Sequence, residues 1–118
     1  VERLEDCVAA ARLLLRQGAA RVLVSPDRDG AFLLDREGLL LARAPEVEVR
    51  SSVGAGDAML AWFTAALLTG LPREEALRRA VAAGSAACLH YGTHAPSREE
   101  AEALLSRVGI DPAGNLPD

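Results

Sequence analysis

The spacing of apolar residues divides the chain into extended and helical segments. Apolar side chains recur at helical intervals from Leu4 to Leu15 and stop before Gly18, which predicts a first helix with a glycine cap. Short apolar runs separated by turn residues follow at 22–24, 31–34, 39–42 and, in alternation with glutamate, 46–49. These runs predict a meander of strands that delivers the chain to Ser51.

The second half of the chain has helical spacing. The predicted helices are 58–68, 72 to about 89, and 98–107. The first of these is apolar almost all round and ends at Gly70, so it is expected to be buried on several sides within a larger α/β body. Pro72 suits the first turn of the next helix, and the pair Ser97 and Glu100 has the pattern of a capping box.

A loop of small residues joins the last predicted strand to the first of these helices. It has the sequence Ser-Ser-Val-Gly-Ala-Gly-Asp from Ser51 to Asp57. Gly54 and Gly56 leave backbone N–H groups open to a ligand, and the helix that follows adds its partial positive charge, which favours phosphate oxygens. The loop predicts an anion hole at Gly54, Ala55 and Gly56. Asp57 beside it is placed to take a proton from a hydroxyl, or it only complements the helix dipole.

Composition narrows the class of ligand. The 118 residues fit one domain with 50% hydrophobic residues, and the net charge of −4 gives little electrostatic support for a nucleic acid or an anionic membrane. A small molecule is the expected ligand. All 13 basic residues are arginine, so a P-loop lysine, a Schiff-base lysine and a lysine general base are excluded within this chain.

The cysteines indicate a reducing environment and no metal site. Cys7 and Cys88 are far apart without paired spacing, and no secretory or membrane-spanning segment is evident, so a cytoplasmic location is expected. Cys88, His90 and His94 do not suggest a zinc site, because residues two apart on a helix face different directions and a fourth ligand is not evident.

The Gly-Ala-Gly-Asp loop resembles the second signature of the PfkB (ribokinase-like) sugar kinases, which is Asp-Thr-x-Gly-Ala-Gly-Asp. The run 21–31 is similar to the strand and nucleotide-facing turn that this family commonly writes Ser/Thr-Leu-Gly-x-x-Gly. Residues 82–87, followed by Gly92 and Thr93, resemble the helix that walls the adenine pocket. The pattern is most similar to the 1-phosphofructokinase and tagatose-6-phosphate kinase branch.

The resemblance implies an α/β, ribokinase-like (Rossmann-like three-layer) fold, of which only the C-terminal segment is present. Residues 1–110 would be the nucleotide-binding and catalytic part, and 111–118 a tail. The sugar-binding N-terminal half and its lid have no counterpart here, and a chain that begins with Val1 is expected to be a piece of a longer protein. A homodimer formed through the missing half is a further expectation.

The activity implied by the resemblance is phosphoryl transfer from ATP, with Mg²⁺, to a hydroxyl of a phosphorylated sugar, foremost fructose 1-phosphate. Asp57 would be the base, and the isolated fragment is expected to be inactive. The nucleotide would contact Ser25, Asp27, Arg28, Asp29, Gly30, Gly56, Ala82, Ala83 and Ser85. The alternatives are another PfkB sugar or nucleoside kinase and a non-catalytic nucleotide-binding or interaction fragment. Residues 83–85 could equally be a helix-packing seam.

Four positions depart from the family pattern, of which Ser52 for Thr is a mild change that keeps a hydroxyl. Ser51 replaces an aspartate that helps to hold a monovalent cation in ribokinase-type relatives. Pro26 and Asp27 replace the usual Leu and Gly, which removes an N–H donor and brings a carboxylate toward the phosphates. Weaker nucleotide binding is expected unless Arg28 or Mg²⁺ compensates.

Overall fold

A computed structural model of the chain describes residues 2–27, 30–51, 53–89 and 96–112. The elements in order are α1 (Glu2–Arg16), β1 (Arg21–Asp27), β2 (Gly30–Asp35), β3 (Gly38–Arg43), α2 (Ala55–Leu68), α3 (Arg73–Ala87), α4 (Arg98–Leu104), a 3₁₀ turn (Leu105–Arg107) and β4 (Gly109–Pro112). No helix of the described residues is both long and apolar enough to span a membrane.

The strands form one antiparallel sheet in the order β1, β2, β3, β4. The first three are the predicted meander, in which Leu33 pairs with Leu23 on one side and with Leu40 on the other. β4 comes from the far end of the chain and pairs with β3, where Ala42 lies opposite Ile110. The C-terminal part of the chain therefore returns to complete the sheet.

Helices cover both faces of this sheet. The four residues 31–34 of β2 are all apolar, and side chains on both faces of the strand are buried. Phe32 and Leu34 pack on one face against α1, and Leu33 packs on the other against the layer that contains α2 and α3. The result is a three-layer α/β/α arrangement, as predicted.

A buried ion pair fastens α3 to the sheet. The Arg73 guanidinium donates from Nε to Asp35 Oδ2 at 2.9 Å and from Nη2 to Asp35 Oδ1 at 2.7 Å. The same Nη2 also donates to the Gly38 carbonyl at 2.8 Å. The two side chains are only 11% and 9% exposed. This geometry is bidentate and charge-assisted, and it ties the first turn of α3 to the β2–β3 turn.

The predicted strand at 46–49 is wrong. Residues 44–50 are irregular, and the free edge of β3 is taken by β4 instead. Glutamate and valine do alternate between exposed and half-buried positions there, but the preceding strand β3 already has a partner on each side. For the same reason the predicted tail begins too early, since β4 continues to Pro112; residues 113–118 lie outside the described residues.

Candidate functional site

The loop before α2 contains one backbone conformation that requires glycine. Gly54, the N-cap of α2, has φ 85° and ψ −5°, in the left-handed region that residues with a side chain seldom adopt. Ahead of it, the Val53 N–H donates to Ser51 Oγ at 3.2 Å. The first helical hydrogen bond then runs from the Ala58 N–H to the Gly54 carbonyl at 2.9 Å. The turn and the helix start are therefore fixed together.

Three backbone donors at the start of α2 have no acceptor within the helix. They are the N–H groups of Ala55, Gly56 and Asp57, which precede the first i to i−4 donor. Gly54 makes no side-chain cap, because it has no side chain to accept their hydrogen bonds. A Cβ built at Gly56 would meet nothing within 4 Å, so the approach to this backbone is open. Such a helix start favours an anion.

A cavity of about 340 Å³ opens beside this helix start, within the size range of small-molecule sites. Its wall is largely apolar with a few polar groups, as is usual for such sites. The lining residues are Ser25, Gly30, Ala31, Ala44, Pro45, Glu46, Val47, Val49, Ala55, Gly56, Met59, Val81, Gly84, Ser85 and Cys88. Among the residues predicted for the nucleotide, the structure brings Ser25, Gly30, Gly56 and Ser85 together here.

Helix α3 presents one face to the cavity. Val81, Gly84, Ser85 and Cys88 lie at intervals of three and four residues, so they share that face. Ser85 is the polar member, and it is 9% exposed. Sequence reasoning missed Val81 and Cys88, although helical spacing applied to Ser85 points to both.

Two of the predicted nucleotide contacts on α3 lie in the core. Ala82 and Ala83 are 0% exposed and belong to the buried cluster between the helices and the sheet. They do not line the cavity, because they project from other sides of α3 than Ser85. These two residues therefore pack against other elements, as the alternative interpretation of residues 83–85 expects. Gly84 lines the cavity and also lies at the contact with α2, since a Cβ there would be 3.1 Å from Met59 Cγ.

The β1–β2 turn supplies the opposite wall. The Ser25 hydroxyl donates to the Gly30 carbonyl at 3.3 Å, and the strand register shifts between Val24 and Asp27. Position 30 accepts only glycine, because a Cβ there would overlap the carbonyl oxygen of Ala42 on β3. Arg28 and Asp29 lie outside the described residues, as does the side chain of Asp27.

The irregular segment 44–50, within which the sequence pattern predicts a strand at 46–49, forms a third wall. It contributes Pro45, Val47 and Val49 to the cavity. Two contacts hold it. Arg107 Nη2 donates to the Glu46 carbonyl at 2.6 Å, and the Arg50 N–H donates to the Cys88 carbonyl at 2.8 Å. This wall is therefore positioned by both α3 and the turn before β4.

Asp57 lies beside the cavity rather than in its wall. It occupies the first turn of α2, next to Ala55 and Gly56, and its side chain is exposed. The carboxylate thus stands next to the open backbone donors, where a second reactant could reach it. Within the described ranges, no three His, Cys, Asp or Glu side chains come close enough together to hold a metal ion. His90, His94, Gly92 and Thr93 lie outside those ranges.

Comparison with known proteins gives consistent matches. Residues 2–101 match the model of the pfkB family carbohydrate kinases. The chain is 36% identical over 110 residues to 1-phosphofructokinase from Bacillus subtilis, a match that spans 93% of this chain and 36% of that protein. It is 43% identical over 88 residues to D-tagatose-1-phosphate kinase from Bacillus licheniformis, a match that spans 75% of this chain and 29% of that one.

A solved structure agrees with these matches. Phosphofructokinase-2 from Escherichia coli, in complex with potassium, superposes with a TM-score of 0.81 at 36% identity. The superposition covers 87% of this chain and 34% of that one. The similarity supports the predicted α/β kinase fold. The chain spans about a third of the length of the curated relatives that it matches.

Proposed function

Because this chain belongs to the pfkB family of carbohydrate kinases, we propose that it is the nucleotide-binding and catalytic part of an enzyme that phosphorylates a sugar phosphate with ATP. The observation that carries the proposal is the uncapped start of α2 behind the left-handed Gly54, which opens beside the cavity. Phosphoryl transfer depends mainly on positioning and on stabilising negative charge, and these backbone donors suit both tasks.

The cavity suits the base and ribose of the nucleotide. Its apolar wall on α3 and on segment 44–50 can enclose a flat ring, and Ser85 offers a hydroxyl within that wall. The phosphates would then extend toward the N–H groups of Ala55 and Gly56, where the positive end of α2 lies. Ser25, on the opposite wall, provides a second polar group along this path.

Mg²⁺ would reach this site on the phosphates of ATP. Magnesium is commonly held by substrate phosphates, water and one or two carboxylates, so it does not need a cluster of protein ligands. That mode of binding fits the described residues, which offer no such cluster. When bound, the ion would neutralise part of the phosphate charge. The backbone donors of α2 would stabilise the rest.

Asp57 is the proposed base. It follows the anion hole directly in sequence, and its carboxylate is exposed at the first turn of α2. A sugar hydroxyl held next to the terminal phosphate would therefore lie within its reach. Removing the proton makes the hydroxyl oxygen a better nucleophile, so the new phosphate ester forms as the bond from the terminal phosphorus to the bridging oxygen breaks and ADP leaves.

The proposed acceptor is fructose 1-phosphate, which would be converted to fructose 1,6-bisphosphate. Two of the relatives are named for ketose 1-phosphates, and this supports a phosphorylated sugar rather than a free sugar or a nucleoside. Assembly into a homodimer through the part of the fold that this chain lacks belongs to the same proposal.

A nucleotide-binding module without catalysis is the second candidate. The observation that favours it is Pro26, which leaves one N–H donor fewer at the end of β1, close to Ser25 in the cavity wall. A module of this kind would bind ATP and would not turn it over.

A chimera separates the two candidates. Bacillus subtilis 1-phosphofructokinase would carry this chain in place of its own aligned 110 residues. We expect ADP formation that requires fructose 1-phosphate and is slower with fructose 6-phosphate or free fructose. ATP binding measured by calorimetry without turnover of any sugar would favour the second candidate. Absence of both binding and turnover in a folded chimera would contradict the proposed site itself.

A further inference from the structure

Among the described residues that line the cavity, Glu46 is the one that carries a charge. The others are glycine, alanine, proline, valine, methionine, serine or cysteine. Glu46 is exposed although it belongs to the wall, so it lies at the opening of the cavity. Its carboxylate makes no ion pair or hydrogen bond with any described residue. A ligand in the cavity would therefore meet an acidic group that has no protein partner among these residues.

Glu48, two residues further along the same segment, has a different environment. Its carboxylate pairs with Arg50 Nη2 at 3.1 Å, and Glu48 does not line the cavity. The alternation of glutamate and valine in the sequence does not distinguish these two acidic residues. In the structure, only Glu46 is placed to meet a ligand.

The backbone of Glu46 is held on both sides. Pro45 before it is buried, and the proline ring fixes its φ angle. Val47 after it packs against the core between the helices and the sheet. The Glu46 carbonyl itself accepts a hydrogen bond from Arg107 Nη2 at 2.6 Å. A side chain on a fixed backbone is suited to recognition, because less order has to be gained when the ligand binds.

Glu46 lies toward the sheet end of segment 44–50, whereas Val49 lies toward the anion hole. The segment begins after β3 and runs without a turn through Val49 before it reaches the loop that precedes α2. A nucleotide with its phosphates at Ala55 and Gly56 would therefore direct its base, rather than its phosphates, toward Glu46. This orientation also keeps the carboxylate away from the phosphate charge.

We propose that Glu46 recognises the 6-amino group of adenine and thereby selects ATP over nucleotides with a 6-oxo purine. The inference rests on the proposed function, since it takes the ligand of the cavity to be a nucleotide. An ionised carboxylate only accepts hydrogen bonds, and the 6-amino group of adenine donates them. Guanine and hypoxanthine carry a carbonyl oxygen at the same position, so there an acceptor would face an acceptor. Arg107 is a positioning residue for Glu46.

Binding of ATP and inosine triphosphate to the 118-residue chain tests the assignment. The two bases differ only in the group at position 6 and in the proton on N1. We expect calorimetry to give at least about tenfold tighter binding of ATP, the effect of one hydrogen bond to a charged group. In Glu46→Gln the ratio of the two affinities should fall to within about threefold, because an amide both donates and accepts.

Glu48→Gln is the matched control for this substitution. It removes the same charge from the same segment at a position outside the cavity wall. The affinity of both nucleotides may therefore change through long-range electrostatics in either variant, but only Glu46→Gln should change their ratio.

Arg107 gives a second readout, because it acts through the backbone of Glu46. Arg107→Met should lower the ratio of the ATP and inosine triphosphate affinities, whereas Arg107→Lys, which keeps a donor for the Glu46 carbonyl, should preserve it. Arg98→Met is the control, since Arg98 pairs with Glu102 on the exposed side of α4. A fall in thermal stability without a change in the ratio would reduce Arg107 to a structural role.

The outcomes that contradict the inference differ from those that contradict the proposed function. Equal affinity for ATP and inosine triphosphate in the unmodified chain would overturn the inference alone. A ratio that is unaltered by Glu46→Gln would assign the selectivity to another group. If Glu46→Gln instead removed a preference for ATP over 2′-deoxyATP, the carboxylate would lie at the ribose. A chain that binds neither ATP nor inosine triphosphate would contradict the proposed nucleotide cavity together with this inference.

Discussion

Glycines near the site serve the backbone in different ways. Gly54 supplies a left-handed turn, and Gly30 fits against the carbonyl of Ala42, where any side chain would overlap. Gly56 has no such structural demand, since a Cβ there would find open space. Its lack of a side chain is therefore best explained by a ligand that approaches the backbone.

The variant Gly56→Ala should therefore weaken ATP binding without lowering the stability of the protein. We expect the thermal midpoint of the chimera to be unchanged or slightly higher, since alanine favours the helix. ATP affinity measured by calorimetry should fall about tenfold, because the methyl group obstructs the phosphates. Gly30→Ala is the matched control, and it should lower the thermal midpoint through the clash with Ala42. A Gly56→Ala variant that binds ATP normally would place the phosphates elsewhere.

At the level of single residues, the sequence predicts local features better than it predicts which side chains line the cavity. The Gly-Ala-Gly-Asp pattern predicted a loop next to a helix start, which is a local property, although α2 begins at Ala55 rather than at residue 58 and the left-handed turn at Gly54 was not predicted. Which α3 residues line the cavity depends on how the helix is rotated against Met59 and Leu33, a tertiary property. Ala82 was consequently assigned to the nucleotide although it packs in the core, and Val81 was missed.

At the scale of elements, local signals succeeded and long-range pairing failed. The Ser97 capping box forms as predicted, with the Glu100 N–H donating to Ser97 Oγ at 3.1 Å. The strand predicted at 46–49 does not form, because the β3 edge it needed is occupied by β4, a segment about 60 residues further along. A strand forms only where a neighbouring strand offers a free edge, and an alternating sequence does not reveal whether such an edge exists.

The buried ion pair between Arg73 and Asp35 should contribute to the stability of the chain, because it holds α3 on the sheet. Arg73→Gln should lower the free energy of unfolding by about 3–5 kcal/mol, because it leaves the Asp35 carboxylate buried without its cation. The double change Arg73→Met with Asp35→Leu should cost less than either single change. Urea unfolding of the chain measures both. An additive double variant would indicate that the two side chains act independently.

The end of β1, at the turn toward β2, carries a prediction about affinity. Under the proposed function, Pro26 offers the phosphates no N–H and Asp27 adds a negative charge to this part of the sequence. Replacing both by Leu-Gly in the chimera should therefore tighten ATP binding measured by calorimetry. The gain should shrink at high salt if charge is the cause. Unchanged or weaker binding would place this turn away from the phosphates.

For the whole molecule, one long motif predicted the family, and the resemblance to that family implied the three-layer α/β arrangement. Exposed leucines such as Leu68 were not anticipated, because an apolar helix in a sequence gives no sign of which face lacks a partner. In the proposed function, this chain is one portion of a kinase fold whose other portion supplies the acceptor site.

The isolated chain should therefore not be a competent kinase. Positioning of both reactants supplies a large part of the rate enhancement, and in the proposed function this chain supplies only the nucleotide side. Coupled assay of the purified 118 residues with ATP, Mg²⁺ and fructose 1-phosphate should show no sugar-dependent ADP formation. Turnover above a contaminant control, abolished by changing Asp57, would contradict this expectation.

The most direct test of the central claim is the rate of phosphoryl transfer by the chimera with Asp57→Asn. We expect kcat to fall about 10²- to 10⁴-fold while the dissociation constant for ATP barely changes, because a base acts on the chemical step rather than on nucleotide binding. Glu74→Gln, a first-turn carboxylate of α3 that lies outside the cavity wall, is the matched control and should leave kcat unaltered. An Asp57→Asn enzyme within about threefold of the unmodified rate would reduce Asp57 to a helix-end charge and contradict the proposed mechanism.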